Sequence, residues 1–407
     1  MPQEDPQDRS RDDQPKGTLA RRNDGRSTVH WLRLLRHHVP RLRNYGGKVR
    51  ANSMADKVLM KGNEAIAEAA ILAGCRHYFG YPITPQTEIA AYMSKRMPKI
   101  GGVFLQAESE IAAINMVYGV SAAGKRVMTS SSSPGISLKG EGLSYLAGSD
   151  LPAFLVNVQR GGPGLGGIQP SQADYFQATR GGGHGDYHMI VLAPASVQEM
   201  ADLTVKGFDL ADKYRMTAMI LADGTIGQMM EPVSLDIGEQ KVYDKPWALT
   251  GTKMEREHNI VTSLFLKPEA LEQLNFERYA RYRIVEENEV MYESFQMEDA
   301  EICVVAYGIT ARVSKNAVTA ARAKGIRVGL IRPITLWPFP KAALAEAATR
   351  VKSFLSVEMS MGQMIEDIEL SIRCAKPVTL VNRVGGMIPT PEQVLSAIEQ
   401  AAGGDKK

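Results

Sequence analysis

The sequence predicts an α/β chain with two doubly wound parallel sheets. Three observations predict it. Short β-branched or apolar runs alternate with helix-length stretches from residue 58 to about 232; the alternation resumes at Glu301; and several helical stretches run into a glycine, at Gly74, Gly124 and Gly148. Strands alternating with helices of this length give parallel sheets covered by helices, and glycine is favoured where a helix ends.

In the first half, helices are expected over 63–73, 85–97, 109–123, 135–147 and 196–213, with strands at 103–106, 126–130, 153–158, 189–192 and 217–221. Residues 233–299 break the pattern with a polar segment rich in Lys, Glu and Tyr, read as a crossing linker with some helix. The second half then reads strand 302–307, helix 311–324, strand 327–331, helix 341–350, strand 353–357, helix 363–374 and strand 378–382. The expected division is a leader at 1–53, a first domain at 54–232, the linker at 233–299 and a second domain at 300–407.

Composition narrows the function classes. The chain has 407 residues, 44% hydrophobic and 23% charged, enough apolar material for real cores and too much for wholesale disorder. No apolar run approaches the roughly 18 residues of a membrane span. The three cysteines, Cys75, Cys303 and Cys374, are far apart, so a disulfide framework, a zinc ribbon or a self-contained iron–sulfur site is not expected, and the protein reads as reduced and cytoplasmic. Residues 1–53 carry 12 Lys and Arg against 6 Asp and Glu, whereas the remainder carries 36 against 39. The basic balance belongs to the leader, and nucleic-acid binding by the body loses its support. The leader is expected to be disordered or spurious, with Met54 as the start and no share in the core.

In open α/β sheets ligands bind at the carboxyl ends of strands, so three loops there matter most. Gly80-Tyr81-Pro82-Ile83-Thr84-Pro85 offers Thr84 as a helix N-cap and Pro85 as a first-turn residue; the same hydroxyl and first-turn N–H groups suit a carboxylate ligand. In Gln106-Ala107-Glu108-Ser109-Glu110, acids at a helix start are ordinary dipole partners, yet Glu110 leads directly into Ile111-Ala112-Ala113-Ile114, where a carboxylate is expected to be buried. Arg160 ends a strand and opens a loop in which Gly162, Gly164 and Gly167 satisfy GxGxxG. Pro163 interrupts it, no helix follows until about Ser171, and no acid ends a second strand, so a mobile ligand-covering loop is preferred to a dinucleotide site. His184 and His188 are expected to make ordinary hydrogen bonds rather than a metal pair. Ser130-Ser131-Ser132-Ser133-Pro134-Gly135 lacks the Lys of a phosphate-binding loop and suggests only a close backbone contact with a ligand.

In this order the loops resemble the alpha-type subunit of 2-oxoacid:ferredoxin oxidoreductases, nearest to the branched-chain (3-methyl-2-oxobutanoate) member. The carrying stretches are Lys61-Gly62-Asn63-Glu64-Ala65, Gly80-Tyr81-Pro82-Ile83-Thr84-Pro85, Gln106-Ala107-Glu108-Ser109-Glu110, residues 129–135, residues 160–167 and Gly183-His184-Gly185-Asp186. Tyr307-Gly308, Arg332-Pro333 and Val357-Glu358-Met359-Ser360-Met361-Gly362-Gln363 resemble the family's transketolase C-terminal-type domain. The likeness runs from Met54 to the C-terminus. It implies oxidative decarboxylation of a 2-oxoacid with thiamine diphosphate, yielding acyl-CoA, CO2 and reduced ferredoxin. It implies that the first domain is of the pyrimidine-binding type, with Glu110 as the catalytic acid that meets N1′ of the cofactor and favours its imino tautomer. Thr84 and Arg160 match positions that contact the substrate's carboxylate and oxo oxygen, a task suited to a permanently charged, forked guanidinium.

The resemblance also implies what this chain lacks. Gly185-Asp186-Tyr187 departs from the Gly-Asp-Gly start of the diphosphate–metal motif, so the diphosphate and Mg2+ fall to a beta-type partner. Iron–sulfur clusters fall to a ferredoxin-like subunit, with a gamma-type subunit and free ferredoxin completing the set; no metal ligand is assigned here, and no nucleic acid or membrane is expected. Substrate choice stays open between a branched-chain 2-oxoacid and 2-oxoglutarate or pyruvate, since Arg180 or His184 could serve a distal carboxylate. More distant readings are a single-chain nucleotide-dependent oxidoreductase and a non-catalytic assembly subunit.

Overall fold

A computed structural model describes residues 57–236, 238 and 240–403; the expectation for the leader lies outside them. In chain order the first half comprises β1 (Val58–Lys61), α1 (Gly62–Leu72), β2 (His77–Gly80), α2 (Thr87–Arg96), β3 (Val103–Gln106), α3 (Glu110–Ala122), β4 (Val127–Ser131), α4 (Pro134–Gly148), β5 (Ala153–Gln159), α5 (Tyr175–Thr179), β6 (Ile190–Leu192), α6 (Val197–Tyr214), β7 (Thr217–Asp223), α7 (Gly224–Gln228) and β8 (Met230–Val233). After it come α8 (Pro268–Asn288), β9 (Tyr292–Phe295), β10 (Ile302–Ala306), α9 (Gly308–Ala323), β11 (Val328–Pro333), β12 (Thr335–Trp337), α10 (Lys341–Ala348), β13 (Ser353–Glu358), α11 (Met364–Ser371), β14 (Val378–Asn382) and α12 (Pro391–Gly403).

Two main sheets carry the architecture. The first has seven strands in the order β12-β6-β7-β5-β4-β2-β3, parallel throughout except for β12 at its edge. The second has five, β14-β13-β10-β11-β9, parallel except for β9. A short antiparallel pair, β1 with β8, closes the first half. Central strands β5 and β7 are buried at every position, which explains their unbroken apolar runs: strands covered on both faces have no solvent side to alternate with. α6 buries Val197, Met200, Ala201, Thr204, Phe208, Ala211 and Tyr214, a helical stripe, and Ser196 caps it by accepting a hydrogen bond from Glu199 N at 3.2 Å.

Three local expectations are corrected. Thr84 does not cap a helix: α2 begins at Thr87 behind Gln86, and Thr84 and Pro85 form the turn before it. Gly148 is the last residue of α4, and Asp150, not a glycine, takes the left-handed conformation that follows. The segment read as a linker supplies β9 to the second sheet, while β12, from the second half, pairs with β6 of the first. Both strands are only three or four residues long, and their pairing is decided by distant partners rather than by their own pattern.

The motifs of the second half knit the halves together. Gln172 donates through Nε2 to Tyr307 O at 2.8 Å and accepts at Oε1 from Met359 N at 3.0 Å, and Asp223 accepts from Ile309 N at 3.1 Å. Buried Glu358 accepts from Ser356 and Ser360 and from the backbone N–H groups of Gln363, Met364 and Ile365, which fixes the turn into α11. Arg332 pairs with Glu199 and Glu293. Among the described residues, no helix is long and apolar enough to cross a membrane.

Candidate active site

The strand order β5-β4-β2-β3 sets the carboxyl ends of four neighbouring parallel strands side by side. Thr84 follows β2, Glu110 follows β3, the serine run ends β4, and Arg160 follows β5. Residues 76 apart in sequence thereby touch: the Arg160 guanidinium donates through Nη1 to Thr84 O at 3.1 Å and through Nη2 to Leu165 O at 3.1 Å. Arg160 is buried, its Nε has no partner, and among the described residues no carboxylate forms a salt bridge with it. A buried cation held only by neutral carbonyls is an incomplete arrangement that an anion completes. Thr84 itself is exposed, so its hydroxyl is open to a ligand.

The turn that links β4 to α4 is built around Ser133, whose φ of 29° is unusual for a residue with a side chain. Its N–H donates to Asn157 Oδ1 at 3.1 Å, its hydroxyl donates to Asp174 Oδ2 at 2.6 Å, and the same hydroxyl accepts from Arg160 N at 3.0 Å. Asn157 Nδ2 reaches Asp174 at 2.9 Å. Burial pushes the Asp174 carboxyl above its usual range, with the Ser133 and Asn157 hydrogen bonds opposing. Asp174 thus anchors the Arg160 backbone through Ser133. The sequence reading missed it because Asp174 belongs to no strand-end motif.

Glu110 is the first residue of α3 and is 5% exposed; no described residue donates a hydrogen bond to its carboxylate. It packs on Gly135, where a Cβ would lie 2.6 Å from Glu110 Oε1 and closer still to Ser131 Oγ. Further buried polar atoms without partners lie on the elements that meet at Gly135: the hydroxyls of Thr129, Ser131 and Ser132 at and just after the end of β4, and Lys139 Nζ on α4. Buried polar groups are normally paired, so a concentration of unpaired ones beside a buried acid marks a place for a ligand.

The glycine-rich stretch after Arg160 is a compact loop. Gly167 N donates to Gly161 O at 2.9 Å, and Gly166 (φ 55°) has no room for a Cβ against that carbonyl. The nearest helix, α5, starts only at Tyr175, so the stretch does not present a helix N-terminus as a dinucleotide fingerprint does. His184 and His188 have separate partners: His184 Nδ1 lies 3.2 Å from Ser144 Oγ, and His188 stacks on Trp337 at 4.8 Å between ring centroids. Arg180 is committed to Asp367 at 3.3 Å and lies over the Phe176 ring.

Residues 68–297 match the family described as pyruvate flavodoxin/ferredoxin oxidoreductase, thiamine diphosphate-binding, and residues 300–394 match pyruvate:ferredoxin oxidoreductase core domain II. A ketoisovalerate oxidoreductase subunit of Methanothermobacter marburgensis is 55% identical over 348 residues, covering 85% of this chain and 98% of that protein. The chain belongs to the 2-oxoacid:ferredoxin oxidoreductases, as an alpha-type subunit. A 2-oxoglutarate synthase subunit of Methanocaldococcus jannaschii is 38% identical, covering 83% of this chain and 98% of that protein. Among solved structures, a 2-oxoglutarate:ferredoxin oxidoreductase from Magnetococcus marinus aligns at a TM-score of 0.74 and 30% identity, covering 85% of this chain; the chain spans 65% of that larger one. A split-gene transketolase at 13% identity and a TM-score of 0.54 shares the fold.

The aminopyrimidine of thiamine diphosphate calls for a buried acid, and Glu110 fits that demand: it is buried, no described residue donates a hydrogen bond to it, and Gly135 lets its carboxylate lie directly against α4. No group of three or more His, Cys, Asp or Glu side chains that could hold a metal occurs among the described residues.

Proposed function

We propose that this chain supplies the pyrimidine-binding and substrate-recognising half of an active site that oxidatively decarboxylates 3-methyl-2-oxobutanoate to acyl-CoA and CO2, with ferredoxin as electron acceptor. The observation that carries it is the buried Arg160 guanidinium, bonded to Thr84 O and Leu165 O and without a salt bridge to a carboxylate among the described residues. Thiamine diphosphate, when bound, supplies the carbon nucleophile and the electron sink. Glu110 holds a proton at its carboxyl oxygen and shares it with the ring nitrogen facing it. Arg160 binds the carboxylate and oxo oxygen of the 2-oxoacid, and the Thr84 hydroxyl adds a neutral hydrogen bond.

A branched, uncharged side chain is supported by two observations. Arg180 is paired with Asp367, so a distal carboxylate would have to compete with that contact for its guanidinium. Ketoisovalerate oxidoreductase subunits are 54–55% identical to this chain, against 36–38% for the 2-oxoglutarate synthase subunits of archaea. The diphosphate, Mg2+ and iron–sulfur clusters are assigned to beta-type, ferredoxin-like and gamma-type partners in the cytoplasm. Ile111, next to Glu110 on α3, and Leu138 on α4 are half exposed and suit cover by such a partner. The test is co-purification from the native host followed by identification of acyl-CoA products from a panel of 2-oxoacids. Isobutyryl-CoA should dominate; preferred formation of succinyl-CoA or acetyl-CoA overturns the substrate reading, and activity of the chain alone overturns the shared site.

A further inference from the structure

Lys139 lies fully buried in α4, with no hydrogen bond to its Nζ and no salt bridge among the described residues. Two glycines fix where it points. Gly135 abuts Glu110 of α3, and Gly142 abuts Ile114 of the same helix. Residues four and three apart share a helix face, so Lys139, four after Gly135 and three before Gly142, is turned toward α3 between Glu110 and Ile114.

Glu110 is the charged group that acts on it; burial pulls the amine down to about 8 and Glu110 opposes that shift. The ionisable groups of the surrounding elements are engaged elsewhere. Glu141, on the same helix, is bonded to Tyr145; His184, from the loop after α5, to Ser144; Asp174, before α5, to Ser133 and Asn157. An unpaired buried ammonium costs stability that a methionine of similar length would not, which calls for a compensating role.

We propose that Lys139 is a positioning residue for Glu110: its ammonium stabilises the ionised carboxylate and so drives the Glu110 proton onto the acceptor nitrogen in the site. The step moves one proton from the Glu110 carboxyl oxygen to that nitrogen, breaking an O–H bond and forming an N–H bond, with nothing oxidised or reduced. It rests on the role given to Glu110 under Proposed function.

The test uses the assembled complex with Lys139→Met, Lys139→Gln and Glu110→Gln. The first readout, without thiamine diphosphate, is the carboxyl infrared band of Glu110, isolated as the difference between the parent complex and Glu110→Gln and followed with pH. The second, with thiamine diphosphate, is hydrogen–deuterium exchange at its C2. Both Lys139 variants should move the loss of the Glu110 carboxyl band to higher pH than in the parent complex, and should slow exchange by about ten- to a hundredfold. The inflection near pH 8 in the exchange profile should vanish. Unchanged carboxyl titration in the Met variant overturns the inference, as does full recovery in the Gln variant, which would make the amine a hydrogen-bond donor rather than a charge. Thermal midpoints confirm that the variants fold. If Glu110→Gln exchanges C2 at the parental rate, the acid role itself fails; if it is slow while the Lys139 variants are not, only this inference fails.

Discussion

Gly135→Ala is the sharpest perturbation available, because it replaces one hydrogen by a methyl group directly against the acid. The new Cβ would stand 2.6 Å from Glu110 Oε1, where ordinary contact begins at 3.4 Å, so the carboxylate must retreat by about 0.8 Å, and Ser131 Oγ by more. Ser131 ends the fully buried strand β4 and has little room to yield. Overpacking of this kind costs about 1–3 kcal/mol. In an unobstructed helix the same change would stabilise by about 0.5–1 kcal/mol, so the sign of the stability change alone reports the clash. A misplacement of about 1 Å can lower rate by about 10²-fold, and C2 exchange in the assembled complex should fall by that order. The double variant Ser131→Ala/Gly135→Ala removes one of the two clashes. It should recover thermal stability while exchange stays slow. Parental exchange in Gly135→Ala, or its recovery in the double variant, would refute the claim that the position of Glu110 governs this step.

Other outcomes follow from the same geometry. Glu110→Gln keeps the shape and removes the acid, so thiamine diphosphate should still bind in the complex while C2 exchange drops by about 10²–10⁴-fold, measured by proton NMR of the quenched cofactor. Arg160→Ala should leave exchange nearly intact and raise the KM for the 2-oxoacid; Thr84→Val should do the same more mildly, by about 0.5–1.5 kcal/mol, and loss of exchange in either would contradict the division of roles. For Lys139 the folded-state value, about 8, lies below the usual 10.5. Its full contribution to stability is therefore present above pH 10.5 and is lost as pH falls through about 8, a penalty of about 3 kcal/mol by linkage. Lys139→Met should accordingly stabilise the chain more at pH 7 than at pH 10.5 in denaturant titrations, and an equal gain at both would count against a buried ammonium.

Much of the fold was legible because most strands are framed on both sides by helix-length stretches. β3 falls where expected, residue for residue, and β5 and β7 are extended only at their carboxyl ends. What stayed hidden was set by distant pairing. Thr335-Leu336-Trp337, caught between prolines, has nothing in it that announces an edge strand for a sheet completed far upstream. Thr84 passed for a cap because a Thr-Pro pair before a helix fits the pattern, yet the chain spends two more residues in the turn. Glu110, Thr84 and Arg160 stand out in the sequence as strand-end residues, but only the strand order brings Arg160 onto Thr84. Lys139 was not findable. A lysine in a helix reads as solvent-facing, and its burial follows from Gly135 and Gly142 letting α4 settle onto α3.

The edge strand β12 has a consequence for synthesis. β6 ends at Leu192, and the strand that covers its open edge begins at Thr335. At about 5–20 residues per second, the ribosome needs on the order of 7–30 s to deliver it. Throughout that interval the nascent first sheet presents an unpaired apolar edge, the kind of template on which chains cross-associate. Co-translational folding of this half therefore stays incomplete until the second half emerges. A chain interrupted between the two would leave the ribosome sticky, and a fragment ending at the apparent domain boundary should be found in inclusion bodies or on chaperones.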